Sequence, residues 1–427
     1  MDPDKLSTTG NERLPFDVLV QIFEYYLLNE STLWPTETLL LVCKVWNETA
    51  LQYSPLWTRF KIDLFESNSG SLWSHRLPLR LQRSGSSQPL HIDLRYSSYR
   101  RGQWIFGSQA PTPQIRSEDV RPTVALLLNA LAGENGQLCT RWKTLHLDID
   151  IEVSFMDNDL VVLSYPMPLL TTLYLSGQMS TGGLVIFPNL PSIRSLTINA
   201  RFLSNYPDAS HATRIGLRNM GCWDSGRSIK FTRVQYLSIS RNVTFSPRHQ
   251  EYPALRTLCL ETNNQATYLM EAVMPRLENL IIDFSDTSWL PQASQLRSIA
   301  GIRVLHLFGW EDRELNQRPA THSIISKLLN TIASLQTLVV NEFVLSFLIE
   351  DKESWRYLFE ENTATQVFLR TRYGRMGAHL FEEDDETWIS FSSTQDGDKR
   401  LTRGEDDSDV ILGRVAAEYA LPIVGWE

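Results

Sequence analysis

The hydrophobic pattern near the amino terminus predicts a group of short helices. Between residues 14 and 57, apolar residues recur every three or four positions, which places them on one face of a helix. Pro15 suits a first helical turn, where its missing N–H is not needed. Thr36 and Glu37 are typical of a second helix start, and Ser54-Pro55 ends a predicted third helix. The two apolar stripes are Leu19, Ile22, Phe23 and Tyr26, and then Leu39, Val42, Cys43 and Trp46.

A second pattern recurs from residue 142 onwards: an apolar residue, two variable residues, a leucine, one variable residue and another apolar residue. The central leucines are 28, 23, 41, 21, 22, 25 and 33 residues apart, a spacing typical of stacked repeats. The 41-residue gap contains a degenerate copy at Thr213–Leu217. The eight copies are Trp142/Leu145/Leu147, Leu170/Leu173/Leu175, Ile193/Leu196/Ile198, Val234/Leu237/Ile239, Leu255/Leu258/Leu260, Leu277/Leu280/Ile282, Ile302/Leu305/Leu307 and Leu335/Leu338/Val340.

Each copy predicts a short strand whose apolar residues point inward while the residues between them point outward. A single copy cannot close its own core, so the copies must stack as a solenoid. An unrelated α/β domain with several buried parallel strands is the alternative. Further predicted elements are helices over 72–83, 120–131, 293–300, 321–333 and 345–359, strands over 89–94 and 367–369, a long loop over 97–118, and ordered segments at 388–391 and 410–419.

The two patterns together resemble a known family. Leu14-Pro15, the first stripe, the run Leu41–Trp46 and the closing Pro55-Leu56-Trp57 resemble an F-box. The copies behind it resemble the irregular leucine-rich repeats that follow F-boxes in many fungal proteins. This resemblance implies an α/β fold in which a three-helix F-box precedes an irregular solenoid with parallel strands. The implied domains are a flexible tail at 1–12, the F-box at 13–63, a connector with a candidate first strand and a long loop at 64–119, the solenoid at 120–380 and an acidic segment and candidate cap at 381–427.

The resemblance also implies a partner. F-boxes dock on a Skp-family adaptor, which links them to a cullin–RING ubiquitin ligase. A unit of about 45 residues is too small to bury so many large apolar side chains by itself. A helical subdomain packed only on its own chain is the alternative. The residues expected to form or support the adaptor contact are Leu14, Pro15, Leu19, Ile22, Phe23, Leu41, Val42, Cys43, Lys44 and Trp46.

In such a protein the repeats would select a protein substrate through outward strand positions. The later copies carry apolar outward residues, which suggests a recognition patch around Phe308 and Trp310 unless residues 345–427 cover it. The asparagine that usually follows each repeat strand occurs only at Asn242 and Asn263, which argues against a regular horseshoe. The candidate substrate-binding residues are His146, Tyr174, Tyr236, Glu261, Asp283, His306, Phe308, Trp310 and Asn341.

Composition narrows the remaining function classes. A formal charge of −9 without a Lys/Arg cluster argues against binding to nucleic acid. Four cysteines without CxxC spacing indicate neither a zinc site nor a disulfide framework. Because the chain has no signal pattern and no run of 18 apolar residues, we expect no membrane anchor and a cytoplasmic or nuclear location.

The sequence contains none of the common catalytic motifs: no phosphate-binding loop, zinc-protease helix, serine elbow or dinucleotide fingerprint. His146 and His306 occupy equivalent outward positions, but neither has further metal ligands at suitable spacing. We therefore expect no enzyme activity, cofactor or metal. The expected function is a substrate-recruiting F-box subunit; a repeat scaffold without a ligase role, or an enzyme with an unrecognised site, is the alternative.

Overall fold

The computed structural model divides the chain into two units, Met1–His211 and Ala212–Glu427. The division falls inside the segment 120–380 that was expected to form one solenoid. The expected tail at 1–12 lies outside the described residues. The structure describes residues 14–28, 36–64, 69–96, 117–149, 154–179, 185–201, 210–218, 222–223, 231–239, 244–245, 251–261, 273–283, 301–308, 325, 328–329, 332, 334–341, 344, 366–370, 388–393 and 399–402.

The first unit begins with helices. Helix α1 spans Phe16–Leu28, a 3₁₀ helix spans Thr36–Leu41, helix α2 spans Lys44–Gln52, and a second 3₁₀ helix spans Ser54–Trp57. Apolar residues from all four helices pack against one another. Their shared core consists of Leu19, Phe23, Leu39, Ala50, Leu56 and Trp57.

The predicted second helix is interrupted, which corrects the sequence interpretation. Its apolar stripe ran from Leu39 to Trp46, but Cys43 is extended, with φ −161° and ψ 172°, and α2 starts only after it. Leu39 packs into the core, whereas Leu41 is 84% exposed. The three-to-four spacing therefore continued across a break that only the backbone geometry at Cys43 reveals.

A parallel sheet follows the helices in the first unit. Its strand order is β1-β2-β3-β5-β6, and β4 pairs with β5. The first strand already pairs with the second, so the ladder begins at Arg59, within the segment expected to be the F-box. Helices α3 (Ser69–Arg83) and α4 (Ser117–Ala132) confirm the two predicted helices before residue 142. The strands are β1 (Arg59–Asp63), β2 (Leu90–Tyr96), β3 (Trp142–Ile149), β4 (Ser154–Phe155), β5 (Thr172–Met179) and β6 (Ser195–Arg201).

The second unit contains a longer ladder of strands. Seven strands pair in parallel in the order β7-β9-β11-β12-β13-β14-β15, and two antiparallel strands, β16 and β17, follow. Two short strands, β8 and β10, pair separately. The strands are β7 (Arg214–Leu217), β8 (Cys222–Trp223), β9 (Tyr236–Ile239), β10 (Thr244–Phe245), β11 (Thr257–Glu261), β12 (Asn279–Asp283), β13 (Val304–Phe308), β14 (Thr337–Asn341), β15 (Gln366–Arg370), β16 (Trp388–Ser393) and β17 (Lys399–Thr402).

The eight predicted copies are confirmed as strands with buried apolar residues. Their three apolar residues are buried in every copy, with at most 5% exposed. Register places equivalent residues side by side, so that Leu258 pairs with Leu280 and Leu280 with Leu305. The degenerate copy forms β7, and the predicted strand at 367–369 forms β15. The result is a solenoid-like α/β architecture in which stacking buries what one copy leaves exposed.

The structure describes only some of the elements predicted between and after the repeats. Within 321–333, Ile325, Leu328 and Leu329 are helical and buried. The ordered segment predicted at 388–391 lies in β16. The predicted helices at 293–300 and 345–359 and the segment at 410–419 lie outside the described residues, as do Asn242 and Asn263.

Candidate protein-binding surfaces

Helix α1 carries two neighbouring apolar stripes with different surroundings. Leu19 and Phe23 are fully buried in the helical core. Val18, Ile22 and Tyr25 are spaced by four and three residues, which puts them on one face. That face is open to solvent, because Val18 is 37% exposed, Ile22 36% and Tyr25 72%. The first helix therefore presents an apolar stripe that the described part of the chain leaves exposed.

The break before α2 exposes more apolar surface. Leu41 and Val42 precede the extended Cys43 and are 84% and 48% exposed. In a helix continuing from Leu39 through Trp46, Val42 would have lain on the same face as the buried Leu39 and the half-buried Trp46. We call the exposed apolar residues of this region the helical surface: Pro15, Phe16, Val18, Ile22, Tyr25, Leu41 and Val42.

Aromatic packing and side-chain hydrogen bonds hold together the helices that carry the helical surface. The rings of Phe23 and Trp46 pack edge to face with centroids 5.4 Å apart, and the Trp57 indole donates a hydrogen bond to the Ala50 carbonyl at 2.8 Å. Tyr53 donates to the Glu24 carboxylate at 2.7 Å. Burial, followed by this carboxylate, raises the pKa of Tyr53 to about 12, which keeps the hydroxyl proton in place.

The ten residues expected to contact an adaptor divide into three groups. Leu19 and Phe23 belong to the core, so they support the surface and do not form it. Leu14, Cys43 and Trp46 are half-buried. The remaining five are exposed: Pro15, Ile22, Leu41, Val42 and Lys44.

Three further residues of this region are exposed but were not predicted: Phe16, Val18 and Tyr25. The i, i+4, i+7 spacing of Val18, Ile22 and Tyr25 was the sequence signal that could have identified two of them.

A second candidate surface is the outward side of the sheet in the first unit. Register aligns Asp93, His146 and Tyr174 on three adjacent strands. The Asp93 carboxylate lies 2.7 Å from Arg95 Nε and 3.4 Å from His146 Nδ1. The rings of His146 and Tyr174 meet at a centroid distance of 4.2 Å. The structure thus brings together two predicted residues, His146 and Tyr174, within a half-buried polar group that we call the polar strand face.

Asp93 and Arg95 were not among the residues predicted from the sequence. Strand β2 had been predicted, and its alternating sequence Leu90–Tyr96 marks the outward positions. Those positions were not assigned because this strand lacks the repeat signature. The same strand adds His91, whose Nδ1 lies 3.1 Å from the Thr144 hydroxyl oxygen.

His91 should make the stability of the first unit depend on pH. Burial, and then the charges of Arg59 and Lys143, lower the pKa of His91 from 6.5 to about 4. Between these values the unfolded chain binds the proton more readily, so stability should fall as the pH decreases from about 6.5 to about 4. Urea unfolding across this range should show a steeper loss for the parent than for a His91→Gln variant. Parallel curves for the two proteins would contradict the assignment.

The outward side of the second unit's sheet differs, because its apolar residues are covered. Cys259, Ile281, Phe308 and Val339 form a buried cluster on which Tyr236 packs. Phe308 is only 7% exposed, so it does not present the accessible recognition patch that was expected there. Burial is also the main cause that raises the pKa of Tyr236. Trp310, the other residue of the expected patch, lies outside the described residues.

The remaining substrate candidates have mixed surroundings. Asn341 is 2% exposed, and its Oδ1 accepts a hydrogen bond from the backbone N–H of Val344 at 3.0 Å. It therefore ties the end of β14 to Val344, which is a structural role. His306 is half-buried, with its ring 6.0 Å from that of Phe308. Glu261 and Asp283 pair as neighbours at the ends of β11 and β12.

Two other kinds of site were searched for in the structure. Across the described ranges, no three or more His, Cys, Asp or Glu side chains are grouped so that they could hold a metal ion. In the same part of the chain, no helix has the length and apolar character needed to cross a membrane.

Comparisons with known proteins do not assign a family to the chain. No protein-family model matches it, and no curated protein shows significant similarity to it.

Proposed function

We propose that this chain is the substrate-recruiting F-box subunit of an SCF-type cullin–RING ubiquitin ligase. Its helical surface docks on a Skp-family adaptor, and its leucine-rich-repeat-like strands bind a protein substrate. The observation that supports this most strongly is the exposed apolar surface beside a core that is already closed. Side chains such as Leu41, at 84% exposure, are candidates for burial by a partner.

The arrangement of the helical surface fits a docking role. Val18, Ile22 and Tyr25 form one stripe on α1, and Leu41 with Val42 adds a second apolar group on the same small unit. Asn47 Nδ2 on α2 donates a hydrogen bond to the Leu40 carbonyl at 2.9 Å, which fixes the backbone immediately before Leu41. A fixed scaffold of this kind reduces the ordering entropy that binding would otherwise cost.

The proposed subunit requires no catalytic group of its own. It contributes by holding a substrate close to the ubiquitin carrier, which raises the local concentration of the reacting groups. The polar strand face is the better accessible of the two outward sheet surfaces and is therefore the proposed substrate contact in the first unit. A repeat scaffold without a ligase role could use the same face, but it would not need the adaptor.

Adaptor capture distinguishes the two roles. The parent chain should be retained by an immobilised Skp-family adaptor, and Ile22→Asp/Leu41→Asp should reduce retention about tenfold or more, since charged groups would replace apolar anchors. The matched control is Leu72→Asp/Leu79→Asp on α3, where the leucines are 44% and 53% exposed. Circular dichroism would verify that all three proteins are folded.

The control decides how the result is interpreted. Retention of the parent and the α3 variant, with loss of the Ile22/Leu41 variant, would support the ligase role. If the parent is not retained, the scaffold role replaces it. Equal losses in both variants would show that the helical surface is not the contact.

A further inference from the structure

Turns before the strands of the second unit place charged residues along one edge of the sheet. Three turns begin at a buried residue, namely Phe231, Tyr252 or Met274. In each turn a backbone N–H donates back to that residue's carbonyl, at 3.3, 3.2 and 3.2 Å. The first and third turns hold Arg233 and Arg276 at equivalent positions, and both arginines are exposed.

The residues immediately before the strands continue this arrangement. The backbone N–H of Glu278 donates to the Arg256 carbonyl at 3.0 Å, and that of Arg303 donates to the Glu278 carbonyl at 2.8 Å. These three exposed residues directly precede three adjacent strands, β11, β12 and β13. The backbones of Arg256 and Arg303 are therefore two strand spacings, or about 10 Å, apart. Parallel pairing brings the amino ends of all these strands to the same edge of the sheet.

Positive charge is concentrated at this edge although the whole chain has a formal charge of −9. Five exposed arginines lie there, with Glu251 and Glu278 as the exposed acidic residues among the described positions. Such a local excess in an acidic protein favours binding to negative groups. We call these residues the arginine edge: Arg214, Arg233, Arg256, Arg276 and Arg303.

We propose that the arginine edge binds an acidic segment of a partner protein. Guanidinium groups bind carboxylates through paired hydrogen bonds, and several of them along an edge suit a run of Asp and Glu. Glu278 lies between Arg256 and Arg303 and would repel a continuous phosphate backbone. A protein segment can place a neutral or basic residue there. As a description of the substrate, this inference rests on the proposed function.

A defined peptide tests the binding directly. A fluorescein-labelled ten-residue peptide, with four alternating Glu and Asp residues on each side of two central glycines, should bind the full-length chain. The glycines leave a neutral position opposite Glu278, and anisotropy is measured at low salt to limit screening. Arg256→Gln/Arg303→Gln should weaken binding about fivefold to tenfold, the range expected for two exposed charge pairs. Lys61→Gln/Lys143→Gln removes the same charge from exposed positions in the first unit and should change affinity little.

Three results would overturn the inference, and the first is that the parent chain does not bind the peptide. Equal weakening in both variants would show that only net charge matters. A short DNA duplex that binds as tightly as the peptide, with the same dependence on Arg256 and Arg303, would show a general polyanion surface. The assay contains no adaptor, so its outcome is independent of the adaptor capture experiment, and either proposal can fail while the other stands.

Discussion

Replacing Trp142 by alanine should destabilise the first unit by about 3–5 kcal/mol, the range for removing a large aromatic side chain from a core. Trp142 is fully buried and is among the largest buried side chains of the protein. It opens β3, pairs in register with Leu90 of β2, and its indole N–H donates to the Leu131 carbonyl of α4 at 3.3 Å. One residue thus links β2 through its backbone register and α4 through its indole.

A conservative change separates volume from hydrogen bonding at this position. Trp142→Phe keeps most of the apolar contact but leaves the Leu131 carbonyl without the indole donor, so a loss of about 1–2 kcal/mol is expected. Urea unfolding followed by circular dichroism measures both values. A Trp142→Ala protein as stable as the parent would show that the contact does not contribute to the core.

Replacing Arg80 by alanine should lower the free energy of unfolding by about 2–4 kcal/mol, because it removes a buried guanidinium together with its aromatic and ionic contacts. The Arg80 guanidinium lies 5.5 Å from the centroid of Trp73 and 5.9 Å from those of Trp57 and Phe60. It also lies 3.7 Å from Glu37 and donates to the Thr36 hydroxyl at 3.1 Å. Arg80 therefore connects α3 to the helices at the amino terminus.

Two variants identify which contact matters at Arg80. Burial lowers the pKa of Arg80, while the neighbouring Glu37 carboxylate favours its charged form. Arg80→Met retains apolar volume and should lose less than Arg80→Ala. Thermal unfolding of the parent and the variants measures these losses. Arg76→Ala, one turn earlier on the same helix and only half-buried, should stay within about 0.5 kcal/mol of the parent. If Arg76→Ala costs as much as Arg80→Ala, the aromatic contacts are not the cause.

The strands of the solenoid could be predicted because their signal repeats. A leucine occupies the same position in each copy, and Leu258, for example, has equivalent leucines on both neighbouring strands, Leu237 and Leu280. A local pattern that is repeated eight times therefore specifies the stacked core. The break at Cys43 was missed for the opposite reason, since one extended residue leaves the apolar spacing around it unchanged.

The outward positions were harder to predict, because alternation tells which side a residue faces but not what covers that side. His146 and Val339 occupy outward strand positions of the same kind, yet His146 joins a half-buried polar group while Val339 is 3% exposed. Similarly, Asn341 was grouped with substrate-binding residues, although its buried side chain accepts a hydrogen bond from the Val344 backbone. Long-range packing decides these cases, and the pattern of one strand does not contain it.

The extended backbone at Cys43 has a practical consequence for studying the complex. Cys43 is half-buried between the exposed residues Val42 and Lys44, whereas Cys139 and Cys259 are buried. Burial raises the pKa of Cys139 to about 12, which suppresses its reactive thiolate. Alkylation at Cys43, followed by mass spectrometry of its peptide, can therefore report occupancy of the neighbouring surface. The protein carries its own footprinting probe at the proposed junction with its adaptor.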